Sequence, residues 1–239
     1  MPAPETHIDE IESNIYRVYT PVDAVPGGFN FNQYLVVDDE PLLFHTGPRA
    51  LASSVIEAVE RVLPFNELRY IGFAHVESDE CGGLNQMLAK APNATPVCSR
   101  VGAMVSVNDI ADRPPLALAN DQKLQLGKHT MRWLDAPHVP HGWDNGFLFE
   151  ETTATLFCGD LFTQPGTGHA AITESDVLAP SEAFRNAMDY FAHAPHTADV
   201  IRRLAQLHPQ TLACMHGSAF RGDGGTALEA LAGALSASG

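Results

Sequence analysis

The sequence predicts an α/β fold, in which helices cover the faces of β-sheet. Hydrophobic residues make up 45% of the 239 residues and charged residues 18%, a composition typical of a globular protein. Apolar strand-like runs alternate with amphipathic helix-like runs, and several of the apolar strands end in a residue that can bind a metal. A chain of this length can bury the core of one large domain, so we expect residues 1–239 to form a single domain.

The first segment predicts a β-meander followed by a helix. Strands are predicted at 14–19, 33–37 and 41–44, where apolar residues alternate or cluster between turn-forming residues. Apolar residues recur at helical spacing over 50–62, with glutamates on the opposite side, which indicates an amphipathic helix. His45 follows the third strand, and a lone histidine in that position is more often a hydrogen-bonded structural residue than a metal ligand.

The segment YIGFAHVESDECGGL contains the densest group of potential metal ligands. Its apolar start predicts a buried strand, which leads to His75, Glu77, Asp79 and Glu80 before two glycines and a helix. Carboxylates so close together would repel one another unless a cation lay among them. The alternative is a polar loop in which Asp79 or Glu80 caps the helix, and the metal interpretation depends on partners later in the chain.

A second group of candidates follows the middle of the chain. The loop DAPHVPHGWD is rigid because it holds two prolines and a glycine, and it contains His138 and His141. Either histidine could bind a metal, but both are not expected to bind one ion. Asp160 and His216 each follow an apolar strand, next to a glycine, as His75 follows its own strand.

The other predicted elements are helices at 84–88, 101–110, 181–191, 197–207 and 225–235, strands at 95–98 and 211–215, hairpins of 123–126 with 129–134 and 147–150 with 154–158, and a proline-containing loop at 112–120.

The charge and the N-terminus exclude several classes of protein. The net charge is −15 and no Lys/Arg cluster occurs, which argues against partners such as nucleic acid or an anionic membrane. No apolar run approaches the roughly 20 residues of a transmembrane helix. The N-terminus MPAPETHIDE lacks the features of a signal peptide, so we expect a cytoplasmic protein. The cysteines show no CxxC spacing and are expected to be buried free thiols: Cys81, Cys98, Cys158 and Cys214.

Together these motifs resemble the metallo-β-lactamase fold superfamily. HVESDE at 75–80, the His141 loop, Asp160 and His216 follow one another in the expected order over nearly the whole chain. The resemblance therefore implies a four-layer αββα sandwich. Hydrolases of this superfamily typically carry HxHxDH, whereas this chain has Glu77 in place of the second histidine. That HxExD pattern, with HGWD at 141–144, is similar to the flavodiiron branch of oxygen and nitric oxide reductases.

The resemblance implies a pair of iron ions, with zinc or manganese as alternatives. His75, Glu77 and His141 would hold one iron, Asp79 and His216 the other, and Asp160 would bridge them. A carboxylate in place of an imidazole makes the site harder, which favours iron or manganese over zinc.

Two positions depart from the expected pattern. Glu80 stands where the flavodiiron pattern continues with a histidine, and it is the seventh candidate ligand. It could ligate the second iron, leave that iron weakly held, or turn away and leave a mononuclear site at His75, Glu77 and His141. His45 stands where the fold commonly has an aspartate.

The expected function is a stand-alone di-iron protein that binds O₂ or NO as its small-molecule substrate and reduces it. One alternative is a non-catalytic sensor or carrier of O₂ or NO. Another is a metal-dependent hydrolase of an ester or thioester, which would use metal-bound hydroxide. Flavodiiron reductases carry a flavodoxin domain after this one, and the sequence ends at Gly239, so we expect no FMN site here and a separate electron-donor protein. The resemblance also implies a homodimer.

Overall fold

Two seven-stranded β-sheets form the centre of the protein in the computed structural model, which describes residues 5–237. Residues 1–4 and 238–239, at the ends of the predicted domain, lie outside the described residues. The first sheet contains, in spatial order, β1 (His7–Glu12), β2 (Ile15–Val22), β3 (Phe29–Val36), β4 (Leu42–Phe44), β5 (Tyr70–Gly72), β6 (Thr95–Ser99) and β7 (Leu116–Leu118). The strands of the second sheet are β8 (Lys123–Gln125), β9 (Thr130–Asp135), β10 (Gly146–Glu150), β11 (Thr155–Gly159), β12 (Ile172–Thr173), β13 (Thr211–Cys214) and β14 (Ala219–Arg221), in the spatial order β12-β14-β13-β11-β10-β9-β8.

Helices cover the outer faces of both sheets. Within residues 5–237 they are α1 (Ala52–Val59), α2 (Ser78–Cys81), α3 (Leu84–Lys90), α4 (Arg100–Gly102), α5 (Asn108–Ile110), α6 (Leu178–Met188), α7 (Thr197–Ala205) and α8 (Gly224–Ala237). Short 3₁₀ turns lie at Arg49–Leu51 and Phe65–Glu67, and a π-helical turn at Ala103–Val107 joins α4 to α5. The amphipathic face of α1 packs Val55 and Val59 against the first sheet, and α7 and α8 pack Ile201 and Leu228 against the second.

Strand direction places the candidate ligands at one edge of each sheet. In the first sheet β4, β5 and β6 are parallel, with Ile71 of β5 opposite Leu43 and Pro96, so the segment after β5 leaves from the carboxyl edge. In the second sheet β11 runs parallel to β13, with Leu156 opposite Leu212. The residues after β11 and β13 therefore leave from one edge, although more than fifty residues separate them in the sequence.

Aromatic and aliphatic side chains fill the space between the two sheets. The Phe157 ring of the second sheet makes edge-to-face contacts with Tyr34 and Phe44 of the first, at centroid distances of 5.5 and 5.7 Å. Trp133 and Leu148 are buried in the same layer. A second apolar cluster lies between the first sheet and its helices, and a third lies between the second sheet and its helices. The predicted α/β fold, a four-layer αββα sandwich, is confirmed.

Some short strands differ from the sequence-based expectation. The loop predicted at 112–120 is wrong over β7, which pairs in parallel with β6 through Val97 and Leu116. The strands β1, β12 and β14 were not predicted. Three of these four strands have only two or three residues, and all depend on partners elsewhere in the sheet, so no local periodicity marks them.

Two other expectations can be compared with the structure. All four cysteines are buried free thiols, as predicted. The helices described within residues 5–237 are too short or too polar to cross a membrane.

Candidate metal centre

The segment after β5 brings three ligands to the edge of the first sheet. His75 follows the strand, Glu77 precedes α2, and Asp79 lies in the first turn of that short helix. The carboxylate of Asp144, in the HGWD motif, accepts the Val76 N–H at 2.9 Å and fixes the course of the segment. The chain folds in this way because the apolar strand is buried while the polar residues after it reach the sheet edge.

The first group of ligand atoms comes from both sheets. Each of His75, Glu77, His141 and Asp160 offers one atom, and these atoms all lie within 4.8 Å of one another. Glu77 Oε2 is 2.8 Å from His75 Nε2 and 2.9 Å from His141 Nε2. Asp160 Oδ2 is 3.8 Å from His75 Nε2 and 3.4 Å from His141 Nε2. Two imidazole nitrogens and two carboxylates thus surround one position.

A second group of ligand atoms lies on the other side of Asp160. The Nε2 atom of His216 is 3.3 Å from Asp160 Oδ1 and 3.4 Å from Asp79 Oδ2. Asp160 therefore directs Oδ2 towards the first group and Oδ1 towards the second. A carboxylate in this orientation is suited to bridging two cations.

Contacts at Nδ1 orient all three histidines. The Nδ1 atom of His75 lies 3.0 Å from Asn145 Oδ1, that of His141 lies 3.0 Å from the Tyr190 carbonyl, and that of His216 lies 2.9 Å from the Asn30 carbonyl. An acceptor at Nδ1 favours the tautomer that leaves the Nε2 lone pair free for a metal. Asn145, Tyr190 and Asn30 could not be found from the sequence. Tyr190 and Asn30 act through backbone carbonyls, which any residue has, and Asn145 reaches His75 only in the folded chain.

Gly142 allows the second loop to approach His75. Its φ of +77° lies in the left-handed region, and a β-carbon at this position would be 3.0–3.1 Å from atoms of the His75 side chain. The glycine after His141 therefore lets the loop cross the imidazole ring closely. His75 and His141 meet edge to face at a centroid distance of 4.7 Å.

The charges of the two groups reinforce one another. Burial disfavours the charged forms, but the neighbouring carboxylates raise the pKa of His75 to about 12 and that of His216 to about 10. Burial likewise opposes ionisation of Asp160, yet His216, His75 and His141 lower its pKa to about 2. Contacts with His141 and His75 hold the pKa of Glu77 well below its usual value. A bound cation would take the place of the protons on these imidazoles.

The predicted ligands occupy different positions relative to these two groups. Six of them lie in the groups just described: His75, Glu77, Asp79, His141, Asp160 and His216. His138 is exposed on its loop, so His141 is the histidine of that pair that reaches the site. Glu80 is buried with Oε2 accepting the N–H groups of Ala74 and His75, and His45 is buried beside it with its Nε2 3.6 Å from Glu80 Oε1.

One side of the site is open to solvent. The side chains of His75, Asp160 and His216 are 3–8% exposed, whereas Glu77 is 50% and His141 27% exposed. Phe29 and Phe31, both half-buried, pack against the His216 ring. A small molecule would therefore approach past Glu77 and His141.

The donor set fits a pair of transition-metal ions. Imidazole nitrogens and carboxylate oxygens are ligands for iron, manganese and zinc, and a set rich in carboxylate is harder than one of imidazoles alone. Each histidine has an acceptor at Nδ1, as metal-bound histidines almost always do.

Comparison with known proteins identifies the family of this chain. Residues 29–217 match the family model described as ODP family beta lactamase, a range that includes every predicted ligand. The chain is 28% identical over 203 residues to the putative diflavin flavoprotein A 1 of Thermosynechococcus vestitus, which covers 83% of this chain and 35% of that protein. It is 23% identical over 236 residues to the nitric oxide reductase of Moorella thermoacetica, which covers 94% of this chain and 58% of that protein. The chain thus spans less than two thirds of the length of either relative.

A solved structure shares the fold. The rubredoxin oxygen:oxidoreductase from Desulfovibrio gigas superposes with a TM-score of 0.86 at 20% sequence identity, covering 96% of this chain and 62% of that chain. The family match, together with this shared fold, confirms the predicted membership of the metallo-β-lactamase superfamily. Because the family model matches most of its length, this chain belongs to the ODP beta-lactamase family.

Proposed function

We propose that this protein holds two iron ions at the His/carboxylate site and uses them to bind and reduce O₂ or NO. The observation that carries the proposal is the position of Asp160, whose two carboxylate oxygens face two separate groups of ligand atoms. One group contains His75, Glu77 and His141, and the other contains Asp79 and His216. A bridging carboxylate of this kind is the common feature of two-metal sites.

The carboxylates favour iron over zinc. Glu77 adds a carboxylate to the first group, and Asp79 adds one to the second, so each position combines imidazole with negative charge. Such hard, anionic sets stabilise an oxidised metal. When bound, the irons would supply the electrons that reduce the diatomic molecule.

The residues of the chain would admit the substrate and hold the metals. Glu77 and His141 border the open side, which leaves room for a diatomic molecule to enter. Phe29 and Phe31 pack against the ring of His216 and would limit its movement. The contacts of Asn145, Tyr190 and Asn30 at the Nδ1 atoms hold the imidazole rings in orientation.

The names of related proteins support redox chemistry. The Moorella relative is a nitric oxide reductase, and the Desulfovibrio relative is named for rubredoxin and oxygen. The name of the Desulfovibrio protein supports a separate electron-donor protein. As further parts of the proposal we expect a homodimer and a cytoplasmic location. We expect no FMN site within these 239 residues.

The proposal is tested by gas consumption. Iron-loaded protein is supplied anaerobically with reduced methyl viologen, and consumption is followed with an O₂ or NO electrode after the gas is added. Catalytic consumption above the rate of the donor alone is expected, and the Asp160→Asn variant should lose it. The matched control is Glu229→Gln, which changes an exposed carboxylate on α8.

Other outcomes would favour the alternative functions. A stable spectral change with O₂ or NO but no turnover would contradict the reductase and favour a sensor or carrier. Ester or thioester hydrolysis by zinc-loaded protein, with no consumption of either gas by the iron form, would favour the hydrolase.

A further inference from the structure

The side chain of Glu80 lies beneath the metal ligands instead of among them. It is fully buried, and its Oε2 atom accepts the backbone N–H groups of Ala74 and His75, both at 2.8 Å. Its Oε1 atom is 3.2 Å from His75 Nδ1, on the side of the ring away from the ligand atom Nε2. Glu80 therefore contacts both the backbone and the ring of a predicted metal ligand.

Backbone contacts keep Glu80 in this position. Its carbonyl accepts the Thr46 N–H at 2.7 Å, and its own N–H donates to the Glu77 carbonyl at 3.2 Å. If the side chain turned outward, the N–H groups of Ala74 and His75 would lose their acceptor in a buried place. Leaving a buried donor unpaired costs about 1–3 kcal/mol per group. Those contacts oppose a rotation of Glu80 towards the second metal position.

His45 provides a second imidazole beside the same carboxylate. Its Nε2 atom is 3.6 Å from Glu80 Oε1, and both side chains are 1% exposed. Neither ring nitrogen of His45 has a hydrogen-bond partner among residues 5–237. A buried carboxylate requires polar or charged neighbours, and His45 and His75 lie on either side of this one.

The inward position of Glu80 makes the two donor sets unequal. Four residues surround the first position, namely His75, Glu77, His141 and Asp160. At the second position the described contacts join only Asp79, His216 and the shared Asp160. A set with fewer protein ligands holds its ion less firmly.

We propose that Glu80 is a positioning residue for His75 and not a metal ligand, so that the site binds one cation tightly and the other loosely. The tight ion would occupy the position around His75, Glu77 and His141, and the loose ion that of Asp79 and His216. This inference rests on the proposed two-metal function of the same site. The inference concerns how tightly each of the two positions binds its cation, and it does not depend on which gas is reduced.

The test compares metal affinity in Glu80→Gln with that in the wild type. A glutamine keeps one oxygen for the two backbone N–H groups but directs its NH₂ group towards His75 Nδ1, where an acceptor now lies. Asn145 remains the acceptor at His75 Nδ1 in this variant, so what is lost is the carboxylate charge beside the ring. Loss of such a supporting group typically weakens metal binding by about 10- to 100-fold. The affinities are measured by a Zn²⁺ titration against a chromophoric chelator. The affinity of the tight position for Zn²⁺ should fall by that factor, while the affinity of the loose position should be unchanged.

Asp79→Asn is the matched control in the same titration. Among the contacts described for residues 5–237, Asp79 joins the second group. This variant should therefore lower the affinity of the loose position for Zn²⁺ and leave that of the tight position unchanged. If Glu80→Gln instead gave the same result as Asp79→Asn, Glu80 would be a ligand of the second metal and the proposal would be wrong.

A measurement on the wild type serves if Glu80→Gln does not fold. Imidazole ¹⁵N resonances are followed by NMR as Zn²⁺ is added. The first equivalent should shift Nε2 of His75 and His141, and the second should shift Nε2 of His216. Simultaneous shifts or the reverse order would overturn the proposal. Because Zn²⁺ neither binds O₂ nor changes redox state, a failure of gas reduction would leave this result standing, and the two failures can be distinguished.

Discussion

The two sheets contribute to the metal centre in different ways. The first sheet supplies His75, Glu77 and Asp79 from one short segment after β5. The second sheet supplies His141, Asp160 and His216 singly, from the segments after β9, β11 and β13. The first contribution is encoded locally, whereas the second exists only because the strands are brought side by side. Loss of a ligand from the first sheet should therefore affect one ion, whereas the second sheet also holds Asp160, the ligand shared by both ions.

The largest effect is expected for Asp160→Ala. Asp160 belongs to the second sheet but faces both groups of ligand atoms, so its removal should reduce bound metal from about two ions per chain to nearly none. Elemental analysis of the purified variant measures this directly. Glu229→Ala, which removes an exposed carboxylate from α8, should keep the wild-type content. Two ions per chain in Asp160→Ala would contradict the shared role.

A histidine from each sheet should affect a different ion. His75→Ala removes a ligand of the first group, and His216→Ala removes one of the second. We expect His216→Ala to keep about one ion per chain and His75→Ala to keep less than one, because the remaining position is the weaker of the two. Metal content after dialysis at limiting metal checks both values.

The control for these histidine variants is His208→Asn. His208 is exposed and has a φ of +51°, which asparagine tolerates better than alanine. It should retain the wild-type metal content. If His75→Ala and His216→Ala lost equal amounts of bound metal, the two groups would not differ in affinity and the expectation would be wrong.

A buried arginine joins the two sheets, and its replacement should mainly lower the free energy of unfolding. Arg17 of β2 is fully buried and donates to the carbonyls of Ala170 and Gly217 at 2.8 and 2.6 Å and to Asn32 Oδ1 at 3.1 Å. Arg17→Met should lower the free energy of unfolding by about 2–4 kcal/mol, because these acceptors lose a charged donor. Urea denaturation measures the change.

Arg203→Met provides the comparison for that variant, since Arg203 is exposed on α7. Its free energy of unfolding should change by less than about 0.5 kcal/mol. Because Gly217 follows His216, Arg17→Met should also weaken the ion on the His216 side. Similar stability of the two arginine variants would show that Arg17 does not hold the sheets together.

The smallest effect concerns the pH dependence of a turn far from the metal. Burial raises the pKa of Glu150, but hydrogen bonds from Thr153 and Thr152 lower it more, so that it lies below the usual value. Ionised Glu150 therefore contributes stability above the ordinary carboxyl pKa, and this contribution is lost as pH falls through the lowered value. Glu150→Gln should cost about 1 kcal/mol at neutral pH and less in acid, with metal content unchanged.

Chemical denaturation of Glu150→Gln at neutral and acidic pH checks this sign. Glu229→Gln should show no such dependence, because Glu229 is exposed. A larger cost of Glu150→Gln in acid than at neutral pH would contradict the assigned direction of the pKa shift.

The sequence predicted the long elements and the local part of the site better than the rest. The helix at Ala52–Val59 and the strand at Tyr70–Gly72 were predictable because their periodicity or apolar run is local. β7 was not, since Pro114 and Pro115 directly before it indicate a loop and its pairing with β6 is a tertiary contact. His75 and Glu77 could both be predicted as candidate ligands because they lie two residues apart in one segment.

The position of Glu80 shows where sequence reasoning stops. Asp79 and Glu80 are neighbours in one short helix, yet successive helical residues point about 100° apart, so only one of them faces His216. His45 had the same ambiguity, and its burial beside Glu80 depends on the packing of β4 against the segment after β5. Spacing alone identifies the donors in such a run but not the direction of each side chain.

The most direct test of the central claim is metal analysis of protein purified without added metal, together with an optical spectrum of the reduced protein before and after exposure to air. We expect two irons per chain, shared through Asp160, and an absorption band that forms on contact with oxygen. Zinc in the site, with no spectral response to oxygen, would contradict the account and place hydrolysis first.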